Sequence, residues 1–279
     1  MWPRSPRTDM HPPSLRNATA ADYDLYVRFQ AELGVDDPPW PSERWEKECV
    51  ERTAFLVEAG VDAGYAFWDH AGPGVPEAYV RHVVIAPERR GRGLGGVLMR
   101  ALAARFRGAG ARQWRLNVLR ENRPAIALYE RLGMRVVYAT SVMRIPWERI
   151  DELPAPSVRV LDSDPRDDAD LERRFELMPG QASGARARSG VRVLVARANS
   201  GAAVGLAVFD PNFPGSFPFR CASPDHVRAF ASAMRERYRG ERPYLQLVVE
   251  DAPAVADALA AAGAACVHDI LHMRGEIPS

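Results

Sequence analysis

Lysine is all but absent from this chain. Lys47 is the only one, so arginine carries nearly all the positive charge. Lys+Arg total 37 against 36 Asp+Glu, a formal net charge of +1. A chain so balanced offers no global field to nucleic acid or to an anionic membrane surface. Any phosphate it binds must be met by a local site. Cysteine is scarce too. Cys49, Cys221 and Cys266 are odd in number and widely spaced, which argues against a disulfide framework and against a zinc site. We read a reducing, cytoplasmic setting and no metal. No window reaches the roughly 18 continuous apolar residues of a membrane span. The opening residues carry Arg, Asp and Pro without the apolar core of a signal peptide. Residues 1–13 are expected to form a disordered leader.

What is present is an ordinary soluble composition, 47% hydrophobic and 26% charged, over 279 residues. That length favours two domains. Helical periodicity over residues 19–33 and 42–52 brackets a turn, Asp36-Asp37-Pro38-Pro39-Trp40. Strands are expected at 54–59, 63–70 and 78–85, then a helix at 94–108, a strand at 113–118, a helix at 124–132 and a strand at 135–145. Strands alternating with helices indicate a layered α/β domain. Residues 148–157, with their prolines, read as a linker. Beyond it the plan recurs, with strands at 158–161, 191–196, 203–209, 216–222, 244–249 and 265–276, and helices at 164–177, 224–238 and 253–262. An offset of 130 residues sets Gly133 against Gly263 and Met143-Arg144 against Met273-Arg274.

The segment richest in chemistry runs Val83-Val84-Ile85-Ala86-Pro87-Glu88-Arg89-Arg90-Gly91-Arg92-Gly93-Leu94-Gly95-Gly96. A buried strand enters a basic, glycine-rich turn that opens a helix. Helix N-termini hold unpaired N–H groups and favour anions. Glycine lets the main chain come close and take positive φ. Arg89, Arg90 and Arg92 would add mobile charge to this phosphate cradle. It is not a P-loop, because Gly-Lys-Ser/Thr is missing, and it fits a dinucleotide fingerprint poorly.

Arg90-Gly91-Arg92-Gly93-Leu94-Gly95 resembles the Arg/Gln-x-x-Gly-x-Gly/Ala signature of the GNAT superfamily of acyl-CoA-dependent N-acyltransferases. The likeness continues through Leu116-Asn117-Val118, Asn122, Ala125, Ala127, Leu128-Tyr129-Glu130 and Leu132-Gly133-Met134, with Met134 where the family has Phe. It covers residues 14–147. The resemblance implies an α/β (α+β) fold of two tandem GNAT-like domains, 14–147 and a degenerate 158–279. Each would be a mixed, mostly antiparallel sheet flanked by helices, with a splayed parallel strand pair in the first. It also implies acetyl-CoA as donor. The pyrophosphate would sit on the amides from Arg90 and Gly91 through Arg92, Gly93, Leu94, Gly95 and Gly96. The pantetheine arm would lie along Val83, Val84 and Ile85, with Asn122 bonding it. Tyr129 would protonate the departing thiolate. Read as residues alone, Tyr129 is equally a core aromatic and Asn122 equally a helix N-cap.

The general base is open. Strict alternation puts Glu77, Tyr79 and Arg81 on one face and His82 on the other, although a bulge, usual in the family, would break that parity. The family's base position falls near Tyr79, where no carboxylate stands. His82 has a suitable intrinsic pKa. Asp36, Asp37 and Trp40 would suit a cationic amine, or form an ordinary surface turn.

The same offset sets Tyr129 on Leu259, Asn122 on Ala252 and Arg90–Gly95 on Arg220-Cys221-Ala222-Ser223-Pro224-Asp225, which has no glycine. Only the first half is therefore expected to bind CoA. The second would shape the acceptor site or build a homodimer interface, a plan similar to that of mycothiol synthase. The leading expectation is acetyl transfer to a small-molecule amine, with neither nucleic acid nor membrane as partner. A non-catalytic acyl-CoA-binding module, acetylation of protein termini or lysines, and longer acyl donors are the alternatives.

Overall fold

The computed structural model describes residues 12–34, 39–69, 77–156, 158–177, 180–221 and 223–278. Most of the expected leader, up to residue 11, and the Asp36-Asp37-Pro38 part of the turn lie outside them. In chain order the first part gives β1 (Ser14–Asn17), α1 (Tyr23–Gln30), α2 (Ser42–Arg44), β2 (Thr53–Glu58), β3 (Val61–Asp69), β4 (Glu77–Ile85), α3 (Leu94–Gly108), β5 (Gln113–Leu119), α4 (Arg123–Arg131) and β6 (Arg135–Pro146). The second part gives β7 (Arg159–Asp162), α5 (Asp168–Arg174), α6 (Gln181–Arg186), β8 (Arg192–Arg197), β9 (Ala203–Asp210), β10 (Gly215–Cys221), α7 (Pro224–Arg237), β11 (Tyr244–Glu250), α8 (Pro253–Ala261) and β12 (Ala265–Glu276).

The chain forms two compact units, and they are not its two linear halves. The first unit takes residues up to Val118, then Asn122–Val137 and His272–Ser279; the second takes Leu119–Glu121 and Tyr138–Leu271. The strand β6 leaves the first unit after Val137, and β12 enters it after Leu271. In the first unit the strand order is β1-β2-β3-β4-β5, with the end of β12 beside β5. There Ile277 N–H donates to the Arg112 carbonyl at 2.9 Å and Arg274 to the Gln113 side chain at 2.8 Å. The pairs β1–β2, β2–β3 and β3–β4 are antiparallel and β4–β5 is parallel. Two layers of core flank this sheet. On one side Trp68 meets Phe106 of α3 edge-on, with ring centroids 5.5 Å apart. On the other, α1 and the turn after α2 cover Phe55, Tyr65, Phe67 and Val84. The expected 42–52 helix is helical throughout but changes pitch, with a π turn over Trp45–Cys49 that lets the fully buried Trp45 stack on Tyr26 at 4.7 Å.

The second unit orders its strands β6-β11-β10-β9-β8-β7. It too contains a parallel pair, β10–β11. The helices α7 and α8 bury Val227, Phe230, Met234, Val255 and Leu259 against it. The segment read as a linker is packed here: Trp147–Glu152 forms a 3-10 turn, and Ile150 and Leu153 belong to the same core. The helix expected to reach residue 177 stops at Arg174, and α6 is an addition.

The end of β12 and the residue after it give the first unit two of its buried side chains, Met273 and Ile277. Burying such a side chain contributes about 1.5–3 kcal/mol. Deleting residues 272–279 should therefore lower the melting temperature and expose sites within residues 12–118 to limited proteolysis. A scan of both chains by thermal denaturation checks this.

Candidate active site

The parallel pair is short. Register runs Glu77↔Gln113, Ala78↔Trp114, Tyr79↔Arg115 and Val80↔Leu116, and there it ends. Of the remaining residues of β4, His82 to Ile85 pair with β3. Where pairing stops, Asn117 Nδ2 donates to Tyr79 Oη at 2.9 Å, bridging the fork. Arg81 and Arg115 lie over the Tyr79 ring at 5.0 and 4.6 Å. Beyond the fork the two strands present main-chain groups to each other without a ladder, and such groups need partners.

A bulge sits at the same place. Phe67 pairs with His82 and Trp68 with Val80, so Arg81 is the extra residue. The strict alternation expected over Glu77–His82 therefore does not hold. Past the bulge the parity inverts. Val84 joins the core beneath α1, whereas Ile85 faces the start of α3, its Cγ1 3.9 Å from where a Cβ on Gly95 would lie. His82 accordingly shares the α1 side. Its Nδ1 lies 2.9 Å from Tyr65 Oη, and its ring stacks on Trp40 at 5.2 Å with an interplanar angle of 17°. Tyr65 and the stacking role of Trp40 had no sequence signal, because both contacts are across strands or elements.

The loop after β4 behaves as its glycines require. Gly91 and Gly93 have φ of 77° and 78°, and Gly93 caps α3 without any side-chain hydrogen bond. Its carbonyl receives the amides of Gly96 and Val97, at 3.0 and 3.2 Å. The amides of Leu94 and Gly95 before them have no main-chain acceptor among the described residues. No heavy atom lies within 4 Å of a Cβ built on Gly91 or Gly93, so the main chain is open to an approaching group. The arginines, by contrast, are ion-paired. Glu58 accepts Arg89 at 2.6 Å and Arg92 at 3.0 Å. Arg90 pairs with Glu32 at 3.0 Å, and its Nε donates to the Ile85 carbonyl at 3.0 Å. Two carboxylates engage three guanidinium groups, so the side-chain charge is partly offset and the amides and the helix dipole supply much of the attraction for an anion.

Asn122 caps α4, its Oδ1 accepting the Ala125 amide at 3.2 Å. Its NH2 group is left for another acceptor. The α4 residue Leu128 packs where a Cβ on Gly95 would be, 3.2 Å away, so α4 leans directly on the start of α3. Tyr129 follows it, buried at 6% exposure, and burial pushes its phenol up to about 12. Glu77 is engaged by Arg274 at 2.6 Å and Arg115 at 3.5 Å, so it is no free base. Among the described residues no group of three His, Cys, Asp or Glu side chains could hold a metal ion, and no helix is long and apolar enough to cross a membrane.

Burial lowers the His82 imidazole from 6.5 to about 4, with the Arg81 charge adding to the effect and Asp69 opposing it. Below its ordinary value the unfolded chain binds a proton that the folded chain refuses. Stability from this group is thus complete above about pH 6.5 and lost as the pH falls toward 4, by up to roughly 3 kcal/mol. Between pH 7.5 and pH 4 the denaturant midpoint of wild type should fall further than that of His82→Phe.

The model of the acetyltransferase (GNAT) family matches residues 22–134. The N-alpha-acetyltransferase RimI of Mycobacterium tuberculosis is 32% identical over 133 residues, 46% of this chain and 82% of that protein. The mycothiol acetyltransferase of Tsukamurella paurometabola is 40% identical over 138 residues; the match takes 49% of this chain and 44% of that protein, so it spans less than half of this relative. A tandem GNAT protein from the clavulanic acid biosynthesis pathway shares the fold over 96% of this chain and 99% of its own, at a TM-score of 0.55 and 17% identity. With a relative 32% identical across most of its own length, a matching family model and a tandem GNAT fold over nearly the whole chain, this protein belongs to the GNAT family of acetyl-CoA-dependent N-acetyltransferases.

Proposed function

We propose that the first unit binds acetyl-CoA and transfers its acetyl group to a primary amine on a small molecule, by direct attack in a ternary complex. The observation that carries this reading is the fork between β4 and β5, which opens beside an uncapped α3. The pyrophosphate would lie on the loop amides from Arg90 to Gly96. The pantetheine arm would enter the fork along Val83, Val84 and Ile85, on the edge of β4 that β5 leaves, and Asn122 would bond it from the start of α4. The amine nitrogen attacks the thioester carbon, the C–S bond breaks, and the sulfur leaves with the electron pair. Tyr129 supplies the proton. A phenol held near 12 stays protonated at neutral pH, as a general acid must. His82, on the α1 side of β4, would accept a hydrogen bond from the attacking amine. An imidazole at about 4 is neutral in the working range but too weak to store the proton, so the proton passes on to solvent.

A small acceptor is supported by the second unit, which the RimI relative does not share in the matched region, and by the mycothiol acetyltransferase relative, whose name denotes a small-molecule substrate. Acetylation of protein N-termini is the second reading, and the name of RimI favours it. We place the protein in the cytoplasm, a setting that suits three cysteines which are all free, two of them buried.

The deciding experiment is thiol release from acetyl-CoA across a panel of small amines and N-terminal peptides, with products identified by mass spectrometry. Faster turnover on a peptide than on every small amine would reverse the acceptor assignment. Tyr129→Phe should lower kcat by on the order of 10²–10⁴ with acetyl-CoA affinity unchanged, because the hydroxyl acts only as sulfur leaves. Gly93→Val should raise the acetyl-CoA Kd, since a β-branched residue at φ 78° is strained and its side chain would enter the space of the phosphates. Calorimetry on both variants separates the two effects.

A further inference from the structure

His82 is the last of a series of aromatic rings on the α1 side of the first unit. Trp45, Tyr26, Trp40 and His82 are each nearly parallel to the next. Their centroids are 4.7, 5.5 and 5.2 Å apart, with interplanar angles of 13°, 11° and 17°. Trp45 and Tyr26 are fully buried, so the series starts from the fixed core beneath α1. It ends on the imidazole beside the bulge of β4.

Trp40 belongs to no helix or strand, and its main chain is held by other means. Prolines stand on both sides of it, Pro39 and Pro41. Each fixes its own φ, and Pro41 confines Trp40 to extended conformations. The N–H and C=O of Trp40 therefore have neither ladder nor helix to bond them, and they need partners. Two tyrosines three residues apart on α1 supply both. Tyr26 Oη accepts the Trp40 N–H at 3.0 Å, and Tyr23 Oη donates to the Trp40 carbonyl at 2.9 Å. The transfer chemistry calls for neither hydroxyl; their joint effect is to seat the indole.

At His82 the indole completes a set of constraints. Tyr65 Oη lies 2.9 Å from Nδ1, which selects one of the two ring flips. Trp40 covers one face, and Phe67 stands tilted to the ring at 5.4 Å. An imidazole bonded at one nitrogen and stacked on one face resists rotation about χ2, and Nε2 is the nitrogen left for the amine. The charged and titratable groups around the ring are Arg81 beside it in β4, and Asp69 and Tyr65 of β3. Arg44 lies over Trp40 at 5.3 Å and Arg52 over Phe67 at 5.5 Å. Arg52 and Arg81 both engage Asp69, so no carboxylate among the described residues bonds the imidazole.

We propose that Trp40 is a positioning residue for acetyl transfer: pinned by Tyr23 and Tyr26, its indole holds the His82 ring in the orientation that offers Nε2 to the amine and keeps water from the covered face. This rests on the reading of His82 given above.

The test follows His82 directly, by NMR titration of the histidine-labelled full chain, with its signal identified as the one missing from His82→Gln. Beside it stands kcat at saturating acetyl-CoA with the best amine of the panel. In wild type the imidazole should titrate at about 4. Trp40→Ala should move that midpoint toward 6.5, because water reaches the uncovered ring. It should also lower kcat by roughly 10-fold with the acetyl-CoA KM unchanged, the cost of a misplaced group. Trp40→Phe keeps a ring in the stack and should restore most of both. Tyr23→Phe with Tyr26→Phe removes two hydroxyls and no ring, and should act in the same direction as Trp40→Ala by a smaller amount. An unmoved midpoint in Trp40→Ala, with only the melting temperature lowered, would make Trp40 a structural residue and overturn the proposal. If Trp40→Ala does not fold, an unmoved midpoint in the tyrosine pair overturns it instead. A midpoint that rises while kcat holds would take His82 out of the reaction, and the proposal would fall with the reading it rests on.

Discussion

The site depends on two parallel strands that stop bonding to each other partway along. After Val80 and Leu116 the ladder of β4 and β5 ends, yet both strands continue. Main-chain groups left in this way must find other partners, and an extended donor arm is such a partner. The bulge at Arg81 bends β4 at the same point, and Asn117 fixes the fork by holding Tyr79. Everything else in the site follows from that opening. In the proposed site the loop after β4 would supply amides on one side of it and the α4 segment would supply Asn122 and Tyr129, while the inverted parity puts His82 on the α1 side.

The second unit realises the same plan differently. The strands β10 and β11 pair at Gly215, Ser216 and Phe219, with a shift of register between Ser216 and Phe219. Arg220 pairs with Glu250 just beyond. The helix that follows, α7, is capped by Ser223, whose hydroxyl accepts the Asp225 amide at 3.4 Å, and Pro224 removes a further donor. An amide satisfied by its own cap is not available to a phosphate. Leu259 stands in the core where the first unit has Tyr129. These differences are local, and they are why we propose acetyl-CoA binding for the first unit alone.

Much of this could be read from the sequence because it is local. The glycines of the loop, the Asn-x-Pro and Ser-Pro helix starts and the strand periods act within a few residues of themselves. They predicted β4, α3, β5 and α4 to within one residue. What escaped depends on partners far along the chain. The bulge is set by Phe67 and Trp68 across the sheet, so alternation within β4 alone could not place it, and only the family resemblance raised it. Glu58 engages both Arg89 and Arg92 from more than thirty residues away. The passage of β6 and β12 between units is a property of pairing, invisible to a halfway cut through the chain. The short α6, Gln-Ala-Ser-Gly-Ala-Arg, has no apolar period to announce it.

The account stands on one open strand pair in a chain built from two similar units. Its most direct test is the stoichiometry of acetyl-CoA on the full chain, measured by calorimetry with the protein concentration fixed by amino-acid analysis. One acetyl-CoA per chain, with binding weakened by substitution at Gly93, is the result predicted. Two per chain, or one that is indifferent to Gly93, would contradict it.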